Sequence, residues 1–522
     1  MIPDLVLRGG MIADGTGQAP FAGDIAISEG RVVAVGEVPD TGAPELDVTG
    51  LVVAPGFIDI HSHSDYTLLV DPRAKSAIYQ GVTLEVIGNC GHGCFPVRDV
   101  KLSQQAVYGY SEDIPMTWSS AGGYFERLEQ AGPAVNVLSL VPNGQLRLSV
   151  LGVADRPATK AEIGEMTFLL RESLAEGAWG YSTGLEYAPE AGASEDELTA
   201  LARANRAAGG WYATHTRKRD EGAAEAVAEA IRTAERADTK LQVSHLVPRN
   251  GLDEARRCAE LVEAARARGL DVEFDMHTRT FGLTHLFAAL PAWALSAPPA
   301  ELEQILRDPI KRDQMRGHES ILSAGKDWGR IVLFDNRFWP DLARRDLGSI
   351  AAERGQDVFD TIYDLLLGAL EEPHKLMVII NAYSEDQQRE AFAHPLCVPG
   401  SDATTMAPDG PLAEASFHGA YTWASWFYRF MVRENKLLTT AEAVHKLTGQ
   451  PAARIGLRDR GHIEEGARAD LAIFDPNRFS ETATTYEPNQ LAEGMVHVFV
   501  NGVHTLRDGE LTGNRAGMVI RR

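Results

Sequence analysis

The middle of the chain alternates between short apolar runs and longer runs rich in Ala, Glu and Leu. Runs such as PAVNVLSLVP, GWYATHT and TKLQVSHLV are typical of strands, and helical runs such as ATKAEIGEMTFLLRESLAEG follow them. Later apolar runs, KLMVII and LCVPGSDA, continue the pattern. Because parallel strands need long, usually helical, connections, this alternation predicts a parallel sheet. About eight such units between residues 55 and 461 predict a (β/α)8 barrel in an α/β protein.

Both ends of the chain have a different pattern, with short apolar runs punctuated by Gly, Asp and Pro. Residues 1–54 include GDIAISEGRVVAVG, and residues 462–522 include ADLAIFDP and VHVFVNGVHTL. We interpret the two ends as one small sheet domain built from both termini. Residues 285–350 break the alternation of the middle with Pro, Trp and helical pieces. We interpret that segment as an insertion able to cover the barrel mouth as a lid.

Composition narrows the class of protein. The chain has 522 residues, of which 44% are hydrophobic, so it can bury a large core. Its formal net charge of -23 would repel a phosphate backbone, so we expect no nucleic-acid partner. The N-terminal MIPDLVLRGGMIADG lacks a signal-peptide pattern and no long apolar stretch occurs, so we expect no membrane partner. Four cysteines are too few for a disulfide scaffold in a chain of this length, so we expect a protein of the reducing cytoplasm. The sequence contains no signal for an oligomeric state.

Six side chains that can bind metal stand where strand-like runs end. They are His61 and His63 after LVVAPGFIDI, Cys90 after VTLEVIGN, His215 in WYATHT, His245 in LQVSHL and Asp402 after LCVPGS. Residues two apart in a strand point to the same side, so the first two histidines face one space. Each residue alone has an ordinary structural explanation, such as a core cysteine or a capping aspartate. Their joint position at the carboxyl ends of barrel strands favours a metal site.

Several motifs resemble one known family. In chain order, GFIDIHSHSD, GNCGHG, YSTGLEYAP, THTRKRDEG, VSHL and SDA resemble the N-acyl-D-amino-acid deacylases, or D-aminoacylases, of the amidohydrolase superfamily. The resemblance continues through TGQPAARIGLRDRGHIEEGARADLAIFDP and covers nearly the whole chain. It implies a (β/α)8 barrel beside a small β-sandwich, and Zn²⁺ in one tight site with a second, weaker site.

The resemblance also implies a role for each of the six side chains. By the resemblance, Cys90, His215 and His245 are expected to hold the tight zinc. His61 and His63 are expected to serve the second position, with Cys90 able to bridge the two, and Asp402 is expected to be the catalytic aspartate. Zinc polarises a carbonyl and lowers the pKa of bound water toward 7. The aspartate takes a proton from that water and passes it to the leaving nitrogen. The expected reaction is hydrolysis of a small linear amide, an N-acyl-D-amino acid or a related compound, to a carboxylate and an amine.

Two other functions remain open. Cyclic amidohydrolases such as hydantoinases and dihydroorotases share the barrel and the H-x-H motif, but they typically supply a lysine where this chain has GNCG. A non-catalytic binding protein on the same scaffold usually loses a ligand or the catalytic acid, whereas all six residues are present here. Zinc content, and hydrolysis of linear against cyclic amides, separate the three hypotheses.

The chain departs from the family where a substrate carboxylate is expected to bind. Family members usually have a lysine where this chain has Val247, and a Y-P-Y motif where it has His277, Thr278 and Arg279. An H-P-R motif is altered to FHGAY at His418. A guanidinium fork is one replacement for the lysine, and a substrate without that carboxylate is the alternative. Our candidates for substrate binding are Tyr187, Arg217, Arg249, Arg279 and His418.

Overall fold

The strands in the described part of the chain form three separate sheets. The computed structural model describes residues 2–249, 251–295, 297–318, 320–323 and 327–522. In chain order the strands are β1 (Leu5–Ile12), β2 (Phe21–Ser28), β3 (Arg31–Gly36), β4 (Glu45–Asp47), β5 (Val52–Pro55), β6 (Phe57–Asp59), β7 (Val82–Ile87), β8 (Asn136–Pro142), β9 (Gly180–Gly184), β10 (Trp211–His215), β11 (Leu241–Val243), β12 (Val272–His277), β13 (Phe281–His285), β14 (Ile331–Leu333), β15 (Met377–Asn381), β16 (Cys397–Gly400), β17 (Leu471–Phe474), β18 (Met495–Val500), β19 (Val503–Arg507) and β20 (Glu510–Leu511).

Helices connect most of these strands. They are α1 (Thr67–Val70), α2 (Lys75–Ile78), α3 (Val100–Gln105), α4 (Ala121–Ala131), α5 (Asn143–Leu151), α6 (Lys160–Ala175), α7 (Glu195–Ala207), α8 (Ala223–Ala237), α9 (Leu252–Ala267), α10 (Ala292–Leu295), α11 (Pro299–Arg307), α12 (Pro309–Arg316), α13 (Leu347–Arg354), α14 (Val358–Leu367), α15 (Glu385–Ala393), α16 (Gly419–Tyr428), α17 (Thr440–Leu447) and α18 (Gly449–Ile455). Shorter 3₁₀ turns lie at Leu286–Ala289, Trp328–Arg330, Pro340–Leu342, Pro373–Lys375 and Gly410–Leu412, and a π-helical turn lies at Arg429–Glu434.

The central sheet is a barrel of eight parallel strands in the order β6-β7-β8-β9-β10-β11-β12-β16. Between the last and first of these strands, a parallel bridge joins Ser62 to Ala403. The His63 amide also donates to the Ala403 carbonyl, and the Asp402 amide to the His61 carbonyl, both at 2.8 Å. These contacts bring the two edges together just beyond the strand ends, so the predicted barrel is confirmed.

The helices around the barrel bury one stripe each, as their sequences predict. In α8, GAAEAVAEAIRTAERA places small and β-branched residues three and four positions apart, and Ala223, Val227, Ala230 and Ala234 are all buried. Short side chains let the helix approach the sheet closely. The strands are buried throughout, as every residue of β7 and β8 shows, because helices cover one face and the barrel interior covers the other.

The two ends of the chain meet in one mixed sheet of nine strands, as predicted. Its order is β20-β19-β18-β17-β5-β1-β2-β3, with β4 pairing on β1. The two ends join where β5 pairs antiparallel with β17, placing Ala54 beside Ala472. Beyond β20 the chain returns to the barrel, where Val519 bridges to Val137 of β8.

A separate antiparallel sheet, β13-β15-β14, lies between β12 and β16 together with α10 to α14. It has its own cluster of buried residues, which runs from Leu286 to Ala382 and draws many of its members from residues 285–350. KLMVII, which we placed in the barrel alternation, is β15 of this sheet. The barrel prediction was wrong for that run because a buried apolar strand has the same pattern in either sheet. Among the described residues, no helix is both long and apolar enough to cross a membrane.

Candidate active site

The six predicted metal-binding and catalytic side chains converge at the carboxyl ends of the barrel strands. His61 and His63 follow β6, Cys90 follows β7, His215 ends β10, His245 follows β11 and Asp402 follows β16. Two groups of ligand atoms each lie within 4.8 Å of one another, one of His61, His63, Cys90 and Asp402, and one of Cys90, His215 and His245. The Cys90 thiol belongs to both groups, so the structure places it between two adjoining positions.

The Cys90 thiol and the Asp402 carboxylate both contact the histidine rings. Cys90 Sγ lies 3.2 Å from His61 Nε2 and 3.6 Å from His245 Nε2. Asp402 Oδ1 lies 3.3 Å from His63 Nε2 and 3.4 Å from His61 Nε2. These side chains are buried or nearly so, which removes water that would otherwise compete for the same atoms.

Three of these residues have a left-handed backbone. The φ angles of Cys90, His245 and Asp402 are 51°, 34° and 44°, a region that costs roughly 1–3 kcal/mol for a residue other than glycine. Gly88 and Gly91, on either side of Cys90 in GNCG, also have positive φ, and a Cβ on Gly91 would collide with a buried carboxylate. The tight turn after β7 therefore needs both glycines in order to aim the thiol into the barrel mouth.

Two carboxylates, the buried Asp275 and the partly buried Glu186, fix the histidine rings. Asp275 Oδ1 lies 2.9 Å from His61 Nδ1 and accepts the His245 amide at 2.8 Å. Glu186 Oε2 lies 2.9 Å from His215 Nε2. Because an ionised carboxylate only accepts, each facing ring nitrogen carries the hydrogen and the other nitrogen keeps its lone pair for a metal.

Our sequence analysis missed both carboxylates, although signals for them were present. Asp275 is an acid within the apolar run VEFDMH, and Glu186 lies in the YSTGLEYAP motif. An acid in a buried strand needs a partner, so its position was informative. The identity of that partner depends on the tertiary structure.

The charges around the site favour ionised ligands. Burial opposes ionisation of Cys90, but the neighbouring imidazoles, His61 first, together outweigh it and hold the pKa of the thiol well below its usual value. Burial likewise opposes ionisation of Asp402, but the hydrogen bond from His63 and nearby positive charges hold the pKa of this carboxyl well below its usual range. Burial, followed by the charge of Arg219, lowers the pKa of His245 to about 4.

This donor set fits zinc. A thiolate and imidazole nitrogens are the ligands that zinc prefers, and the atoms of each group are close enough to share one ion. The two outer carboxylates supply the orientation that zinc-binding histidines usually have.

Arg279, a candidate for substrate binding, instead contacts Asp402, the predicted catalytic residue. Its Nη2 donates to Asp402 Oδ2 at 3.0 Å, and its Nη1 donates to the Ser401 carbonyl at 2.8 Å. The guanidinium also lies over the Phe417 ring, 5.0 Å from its centre. Arg279 thus holds the carboxylate of Asp402 from the side opposite His63.

Two other candidate arginines are paired with carboxylates of the protein. Arg249 Nη2 lies 2.5 Å from Glu186 Oε2, and its Nη1 lies 2.9 Å from Asp220 Oδ2. Arg217 Nη2 lies 2.8 Å from Glu229 Oε1, and the guanidinium also donates to the main-chain carbonyls of Ala191 (from Nη1) and Ala193 (from Nη2). These ion pairs disfavour the prediction that either guanidinium binds a substrate carboxylate, because each already has its countercharge.

The last two candidates lie on different sides of the site. The Tyr187 hydroxyl is 3.3 Å from His215 Nδ1, so it contacts one of the predicted metal ligands. The His418 ring packs 5.1 Å from the Phe281 ring, and its Nδ1 faces the Thr422 hydroxyl at 3.3 Å. Burial, followed by the charge of Arg279, lowers the pKa of His418 to about 4, so this ring is neutral near pH 7.

Comparison with known proteins agrees with this geometry. The sequence profile of the amidohydrolase family matches residues 45–315 and 389–512. A D-aminoacylase of Alcaligenes xylosoxydans xylosoxydans is 32% identical over 531 aligned positions, which cover 99% of this chain and 98% of the relative. The chain belongs to the D-aminoacylase family of amidohydrolases. The resemblance predicted from the motifs is therefore confirmed.

Two solved structures of the D-aminoacylase family have the same architecture. The crystal structure of a D-aminoacylase superposes with a TM-score of 0.80 at 30% identity, covering 99% of this chain and all of the other. An N-acyl-D-glutamate deacylase from Bordetella bronchiseptica superposes with a TM-score of 0.79 at 28% identity, covering both chains completely. That deacylase was crystallised with zinc and a phosphonate that mimics the tetrahedral intermediate of its reaction.

Proposed function

We propose that the protein is a zinc-dependent hydrolase that deacylates an N-acyl-D-amino acid or a closely related linear N-acyl compound. The observation that carries the proposal is the Cys90 thiol shared by two groups of ligand atoms, with Asp402 in one of them. The similarity to D-aminoacylase and to the zinc-containing deacylase supports it. A linear amide is preferred over a cyclic one because the relatives that are 31–32% identical over 99% of the chain are a D-aminoacylase and two N-acyl-D-amino-acid deacylases.

The protein divides its ligands between two positions. Cys90, His215 and His245 would hold a tight zinc, and His61 and His63 would serve a second, weaker position. Zinc bound there would supply polarisation of the amide carbonyl and would make a neighbouring water easier to deprotonate. The protein keeps the His61 and His215 rings in one orientation through Asp275 and Glu186.

Asp402 is the residue that transfers the proton in the proposed reaction. Its Oδ1 faces His63, its Oδ2 accepts from Arg279 at 3.0 Å, and it is therefore held as a carboxylate. A carboxylate in this position takes a proton from the attacking water and delivers it to the leaving nitrogen. Arg279 positions this base, so we expect Arg279→Ala to lower kcat more than it raises KM.

A substrate panel tests the proposal. The zinc-loaded protein would be given N-acetyl-D-amino acids, their L-isomers, plain N-alkyl acetamides and a hydantoin, and the released amine or ring-opened product would be measured. We expect release from the D-isomers first, and loss of that activity by roughly 100-fold or more in Asp402→Asn, the scale of general-base catalysis. Ring opening of the hydantoin without any release from linear amides would overturn the proposal.

A further inference from the structure

Arg219 differs from the other arginines around the site. Arg249 pairs with Glu186 and Asp220, and Arg279 pairs with Asp402. Arg219 is only 7% exposed, yet within the part of the chain that the structure describes no carboxylate lies at ion-pair distance from it.

The contacts that Arg219 does make leave its charge uncompensated. Its Nη2 donates to the His245 carbonyl at 2.9 Å and to the Val247 carbonyl at 3.2 Å. Its Nε is buried with no acceptor among the described residues. The guanidinium carbon lies 5.7 Å from the centre of the Tyr383 ring. Carbonyl dipoles and an aromatic face stabilise a cation only partly, and a buried charge without a partner is costly.

The guanidinium lies beside the reacting groups. It contacts the main chain of His245, one of the residues that fit a metal. The Tyr383 ring that it faces lies 5.0 Å from the His277 ring, and His277 Nε2 lies 3.9 Å from Asp402 Oδ2. An anion held at Arg219 is therefore close to the centre where the proposed reaction takes place.

We propose that Arg219, flanked by Tyr383, binds a carboxylate of the substrate and selects anionic N-acyl compounds over neutral ones. The proposal rests on the proposed deacylase function and names the cation that this function needs. The Nε–H group, which has no acceptor among the described residues, can donate to a carboxylate oxygen, and the incoming anion supplies the missing countercharge. Tyr383 comes from the segment inserted between β12 and β16, so that segment contributes one wall of the proposed subsite.

Calorimetric titration tests this with ligands that the enzyme does not cleave. The probes are N-methanesulfonyl-D-leucine and its carboxamide, which have the same shape and differ in charge. The zinc-loaded protein should bind the carboxylate roughly 10-fold or more tightly than the carboxamide, the scale of a charge-assisted hydrogen bond. In Arg219→Gln the two affinities should agree within about twofold, because the removed interaction is specific to the charge.

A matched control is Arg256→Gln, which removes an exposed arginine of α9 paired with Glu390 and should keep the preference. A preference that survives in Arg219→Gln would overturn the proposal. So would equal affinities in the unmodified protein, or equal weakening of both ligands in Arg219→Gln, which indicates that Arg219 only supports the loop after β11.

The outcome is separable from the proposed function. An Arg219-dependent preference without hydrolysis of any linear amide leaves the subsite standing and removes the deacylase activity. Efficient hydrolysis of linear amides without that preference would support the deacylase activity and would remove the Arg219 subsite.

Discussion

Replacing Glu186 by glutamine should weaken metal binding at the His215 position while the protein stays folded. Glutamine keeps the length of the side chain and removes its charge. The His215 ring then loses a charge-assisted hydrogen bond of 2.9 Å and retains at most a neutral one. The orientation of the ring, and the basicity of its free nitrogen, depend on that bond.

The expected magnitude follows from the kind of bond that is lost. A hydrogen bond to a charged group contributes about 1.5–3 kcal/mol, against about 0.5–1.5 kcal/mol for a neutral one. The difference, on the order of 1.4 kcal/mol, corresponds to about tenfold in affinity. Loss of such outer partners lowers metal affinity by roughly 10- to 100-fold, so we expect zinc affinity to fall within that range.

Glu186 also pairs with Arg249, so a control must separate the two effects. Asp220→Asn breaks the other ion pair of Arg249, at 2.9 Å, and leaves the Glu186–His215 contact intact. Zinc affinity would be measured by competition with a chromogenic chelator, and folding by thermal melting. Asp220→Asn should lower the melting temperature without a comparable loss of zinc affinity. Equal losses of zinc in both variants, or none in Glu186→Gln, would refute the reasoning.

Three further predictions concern the same site. Cys90→Ala and His245→Ala should lose the tight zinc, measured by elemental analysis after dialysis, whereas Cys258→Ala, a buried thiol on α9, should keep it. Asp402→Asn should keep zinc and lose about 100-fold or more in kcat, and an undiminished kcat would mean that the base lies elsewhere. Residues 285–350 should be cleaved more slowly by a protease when a product is bound, and unchanged cleavage would contradict a lid.

The barrel was predictable because its pattern is local. Each strand and its helix follow one another in the chain, and each reactive residue stands directly after a buried run, as Cys90 and His215 do. In a (β/α)8 barrel the carboxyl ends of all strands lie at the same end of the barrel, so these residues come together there. The strands of the terminal sheet were predictable because GDIAISEGRVVAVG and ADLAIFDP both contain short apolar runs bounded by Gly, Asp or Pro.

The pairing of charges was not predictable in the same way. Arg249 was a reasonable candidate for binding a substrate carboxylate, but its guanidinium forms an ion pair with Glu186, which is distant in the sequence. His61 is oriented by Asp275, which belongs to a different part of the barrel. Such pairs form between segments that are distant in the sequence and meet only in the complete tertiary structure, and a single sequence contains no periodicity that predicts them.

The pairing of β5 with β17 has a consequence for the order in which the protein folds during its synthesis. The strands β1 to β5 leave the ribosome before the barrel, and β17 leaves after it. Until then the edge of β5 has open backbone donors and acceptors, with Ala54 lacking Ala472 as its neighbour. Contacts between segments so distant in sequence form slowly, and an open strand edge pairs readily with another chain. We therefore expect the nascent N-terminal sheet to depend on a chaperone, or on low expression temperature, until the C-terminal strands emerge and complete it.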